Sequence, residues 1–100
     1  MSDEKILLTI FLKHDHSMNL AQINEKLAAT KFFKVFPPEG VEVVSWYVMM
    51  GIGQVVTLSL PASKVREVNL AIENAAWGAF DTEFYLTYDF VEVWKQRRDA

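Results

Sequence analysis

The chain has no cysteine, which removes disulfides, thiolate metal sites and a cysteine nucleophile from consideration. Glycine and proline are scarce, four and three in 100 residues, so a fibrous or low-complexity protein is excluded. There is no block of one charge. Five basic and six acidic residues lie in the first half and five and seven in the second, for a net charge of −3, which argues against a nucleic-acid partner. No apolar run approaches the roughly 20 residues needed to span a bilayer, and the charged opening Ser2-Asp3-Glu4-Lys5 is unlike a secretory leader. A cytoplasmic protein with no membrane partner is expected. No repeat or linker interrupts the chain, so residues 1–100 read as a single domain.

What remains is a globular composition, 51% hydrophobic and 23% charged, with 13 aromatic residues. That is more aromatic surface than a core of this size requires, and it points to a pocket or a partner surface.

Ile6 to His14 alternates as a strand: Ile6, Leu8, Ile10 and Leu12 form an apolar side, and Leu7, Thr9, Phe11 and Lys13 a mixed one. Asn19 with Gln22 three residues on forms a capping box, and Leu20, Ile23, Leu27 and Ala28 continue at helical spacing. The aromatic segment Lys31–Phe36 loses that period and reads as a last helical turn or a packed loop before the turn Pro37-Pro38-Glu39-Gly40. Val41–Met50 and Gln54–Leu60 are two strands around the hairpin Gly51-Ile52-Gly53. A second helix opens near Pro61-Ala62-Ser63, buries Val65, Val68, Ile72 and Ala75 or Ala76, and stops at Gly78. Thr82 to Phe90 alternates again, with Phe84, Leu86, Tyr88 and Phe90 on one side; the tail after Val91 is mixed.

The order β-α-β-β-α-β predicts an α+β fold of the ferredoxin-like kind: a four-stranded antiparallel sheet with two helices on one face. The other face carries Leu7 with Phe11, Tyr47 with Met49, Val55 and Tyr85, too apolar to be left to water. In element order, length and two-faced strands the chain resembles the dimeric α/β barrel superfamily, whose ferredoxin-like protomers pair sheet to sheet. Muconolactone isomerases and small cofactor-free antibiotic biosynthesis monooxygenases belong there. The segments Val41–Tyr47 and Asn74–Phe80 look like those of small bacterial proteins of this type. The resemblance implies a homodimer and no cofactor; no shared motif carries an activity across.

His14-Asp15-His16 is the most chemical-looking cluster, because histidines at i, i+2 of an extended chain point the same way; solvated histidines at a strand end are the plainer reading, and no metal is assigned. His14 is the candidate general acid or base. Trp46, Tyr47, Tyr85, Trp77 and Gln54 are the candidate ligand-binding residues, for an apolar cavity taking an aromatic molecule; ordinary core is the alternative. Gly51-Ile52-Gly53 sits between strands, not at a helix start, and is a turn rather than a phosphate cradle. Glu83 and Asp89 are too far apart along one strand for a carboxylate pair.

Two functions compete. One is a binder or enzyme acting on a small hydrophobic or aromatic molecule by proton transfer, isomerisation or cofactor-free oxygenation. The other is a non-catalytic dimeric structural or regulatory module. An RNA-recognition module shares the element order, but Gln54–Leu60 lacks its aromatic and basic signature.

Overall fold

The computed structural model describes residues 4–14, 17–76 and 79–100. The strands are β1 (Lys5–His14), β2 (Glu42–Met49), β3 (Gly53–Pro61) and β4 (Phe80–Thr87); the helices are α1 (Leu20–Thr30), α2 (Phe32–Val35), α3 (Val65–Ala75) and α4 (Val91–Arg98). The strands form one antiparallel sheet in the order β2-β3-β1-β4, with β1 and β3 in its centre.

Local chemistry accounts for the element boundaries. The Asn19 side chain accepts from the Gln22 backbone N–H, and the Gln22 side chain accepts from that of Asn19, both at 2.9 Å. This reciprocal pair satisfies two donors that the first turn of α1 would otherwise leave open, a contribution of about 1 kcal/mol. The aromatic segment that sequence leaves between turn and loop becomes α2, entered through Lys31 at φ 58°. Between β2 and β3, Gly51 turns the chain at φ 80° and Ile52 donates back to the Met49 carbonyl at 3.0 Å. Gly53 is fixed by a close approach: a β-carbon there would lie 2.0 Å from the backbone oxygen of Leu12 on β1.

The core lies on one side of the sheet. Leu8, Ile10, Leu12, Val56, Leu58 and Leu60 from β1 and β3 meet Ile23 and Leu27 of α1 and Val68 and Ile72 of α3. Each such side chain contributes on the order of 1.5–3 kcal/mol by leaving water. Phe32 is fully buried, with the rings of Phe36, Phe33, Trp46 and Phe80 at 5.1, 5.2, 6.3 and 6.5 Å. No polar or charged side chain is buried among the described residues.

Two boundaries depart from the sequence reading. β4 begins at Phe80 and ends at Thr87, because its pairing with β1 stops at Leu7–Thr87; Tyr88 and Phe90 therefore lie beyond the sheet. The mixed tail is a helix, α4, whose first backbone N–H, that of Val91, donates to the Asp89 carboxylate at 2.8 Å. Gly78, the expected helix stop, lies outside the described residues. Among the described residues no helix is long and apolar enough to cross a membrane.

Candidate functional site on the open sheet face

Pairing register decides which side chains share the face that the helices leave uncovered. One row across the sheet is Tyr47, Val55, Phe11 and Glu83; the next is Ser45, Thr57, Thr9 and Tyr85. A bulge in β2 between Val43 and Ser45 sets the sides, turning Trp46 toward the helices and Tyr47 away from them. The apolar residues expected on the bare face, Leu7, Phe11, Tyr47, Met49, Val55 and Tyr85, fall in these rows and the flanking ones.

Two polar constellations cross this face. The Thr9 hydroxyl lies 3.0 Å from that of Thr57 and 3.1 Å from that of Thr87, and Thr87 in turn donates to the Leu7 carbonyl at 3.3 Å. At the neighbouring corner the Tyr85 hydroxyl donates to the Glu83 carboxylate at 2.6 Å, and the Lys13 ammonium pairs with the same carboxylate. Phe11 packs edge-on against the Tyr85 ring at 5.8 Å.

The corner polarises its own titrations. Hydrogen bonds from Lys13 and Tyr85 hold the Glu83 carboxyl below the usual carboxylate range, while the bond to Glu83 and its charge push Lys13 and Tyr85 up. A lowered acid stabilises the fold above its ordinary range and stops doing so as pH falls through its folded value. A raised lysine or tyrosine stabilises below its ordinary range and stops doing so as pH rises through its folded value. The corner is therefore intact through neutral pH and lost at both extremes. Phenolate absorbance titrated against a Tyr85→Phe control should put Tyr85 above the usual phenol value of about 10. Glu83→Gln should bring it back toward that value; an unchanged midpoint would show that Glu83 does not hold the proton.

The residues singled out from sequence are distributed over both faces. Trp46 and Gln54 meet on the helix side, where the indole N–H donates to the Gln54 side-chain oxygen at 2.7 Å, and Trp46 also packs on Phe33 and Phe36. His14, at the end of β1, stacks on the buried Phe80 at 5.9 Å. Tyr47, 67% exposed, and Tyr85 share the open face but sit on its two edge strands. Three strand spacings of about 4.8 Å separate them. Trp77, Asp15 and His16 lie outside the described residues. Among the described residues no cluster of three metal-ligating side chains occurs.

Lys13 and Thr9 were not singled out from sequence. Their signal was present in the polar residues interleaved with Leu7 and Phe11, but their partners are about 45 to 80 residues away along the chain. Comparison with protein-family models, curated proteins and solved structures finds no match to this chain.

Proposed function

We propose that this chain is the protomer of a ferredoxin-like homodimer, a dimeric α/β barrel, that binds a small aromatic molecule bearing an anionic group between its facing sheets. The observation that carries this is the open face itself: Leu7, Phe11, Tyr47, Val55 and Tyr85 flank a charged corner on the side of the sheet opposite the core. A second sheet removes that apolar surface from water, and Lys13, whose ammonium pairs with Glu83 and carries three donors, supplies the cation that an aromatic carboxylate or enolate requires. Binding is favoured over acid–base catalysis at this corner. General catalysis works best with a group titrating near the working pH, whereas Glu83 is moved down and Tyr85 up, both away from neutrality.

A non-catalytic dimeric module is favoured by one observation, the internal pairing of the three threonine hydroxyls and of Glu83 with Tyr85. A panel of aromatic carboxylates and their neutral amides separates the two. The binding function predicts that a carboxylate raises the melting temperature at saturation, more than its amide does. Lys13→Met should weaken carboxylate binding by about tenfold or more, the loss of a charge-assisted hydrogen bond. No shift with any member of the panel leaves the structural module.

A further inference from the structure

The three threonine hydroxyls on the open face form a chain with one polarity. A carbonyl can only accept, so the Thr87 hydroxyl gives its single proton to Leu7. In the contact of 3.1 Å between Thr87 and Thr9, Thr9 is therefore the donor, and in the contact of 3.0 Å between Thr9 and Thr57 the donor is Thr57. The order Thr57 to Thr9 to Thr87 to the Leu7 carbonyl is the one arrangement that satisfies all three contacts. It leaves Thr57 as the one hydroxyl of the three whose oxygen accepts nothing among the described residues. Thr57 stands on central strand β3, one row from Val55 and Phe11, where a facing sheet excludes the water that an open acceptor otherwise binds.

We infer that the ligand of this face carries a hydrogen-bond donor opposite its anionic group: it is an aromatic carboxylate with a phenolic hydroxyl at the far end of the ring. The inference rests on the carboxylate-binding homodimer proposed above and adds the group that the second end must bear. Three positions fix the outline. The Lys13 ammonium, held between β1 and β4 by Glu83, takes the carboxylate. Phe11 and Val55, paired across β1 and β3, give the ring an apolar floor. The Thr57 oxygen takes the hydroxyl proton. Glu83 pairs with Phe11 and Thr57 with Thr9, so the two ends differ by two residues along the strands, about 7 Å, and by one to two strand spacings of about 4.8 Å across them. The resulting diagonal, on the order of 10 Å, matches one benzene ring with its two groups in para positions and a hydrogen bond of about 2.8 Å at either end. An ether or a second carboxylate would bring only lone pairs to an oxygen that already has them.

Para-hydroxybenzoate, para-methoxybenzoate and benzoate, titrated by calorimetry into the parent chain at neutral pH where the phenol keeps its proton, test this. The hydroxy acid should bind about threefold to tenfold more tightly than the other two, the gain from one neutral hydrogen bond. Thr57→Val, which keeps the shape and removes the oxygen, should erase that preference while leaving benzoate bound as before, and Thr57→Ser should restore it. Three carboxylates that bind alike overturn the donor inference and leave the carboxylate site standing. A preference that survives in Thr57→Val also overturns it, because the acceptor then lies elsewhere. No binding by any of the three overturns the inference together with the function on which it rests.

Discussion

Replacing Phe32 with alanine should destabilise the protomer by about 3–5 kcal/mol, the range for emptying a fully buried aromatic site. Four rings surround Phe32, from α2, β2 and β4. Its loss therefore opens a void that helix and sheet would have to close together. The cavity cost depends on collapse, and rings held from three elements collapse poorly. In a domain of this size each kcal/mol moves the melting temperature by about 4–8 °C. Phe32→Leu, which keeps most of the apolar volume, should cost roughly half as much and gives a measurable value if the alanine variant does not fold. A loss below about 1 kcal/mol for Phe32→Ala would mean that the ring is not the centre of this cluster.

The strands and the two longer helices were legible because local alternation and capping chemistry state them directly. The run from Ile6 to Lys13 separates a core side from an open side without reference to any other element, and Asn19 with Gln22 marks the start of α1. The site was less legible, for a geometric reason. Neighbours on a strand face opposite ways, so Trp46 and Tyr47 could not share one pocket wall. The side that each takes is fixed by the bulge before Ser45 and by register with β3, which depend on pairing rather than composition. The Lys13–Glu83–Tyr85 corner was hidden in the same way, since it exists only once β1 and β4 are aligned. α4 was missed because its polar and basic residues obscure a short apolar stripe, Val91 and Trp94.

Phe11→Lys should separate the protomers while leaving each one folded. Phe11 stands in the open-face row between Val55 and Glu83 and takes no part in the buried core on the helix side. A lysine there faces Glu83 across the strand pair, so within the protomer it gains an oppositely charged neighbour. Against a facing sheet the same ammonium must be stripped of water with only a shared carboxylate to receive it, which costs several kcal/mol. The expected weakening of association is on the order of a hundredfold or more, because central aromatic residues dominate interfaces of this kind. The far-ultraviolet circular dichroism of the variant should match that of the parent chain.

The central claim is that the open face is covered by a second copy of this chain. Light scattering coupled to size exclusion at micromolar concentration tests it most directly. The parent chain should elute at twice its 11.5 kDa mass, and Phe11→Lys should elute at 11.5 kDa with its secondary structure intact. A parent chain that is monomeric under these conditions, or a Phe11→Lys variant that dimerises as tightly as the parent, would contradict it.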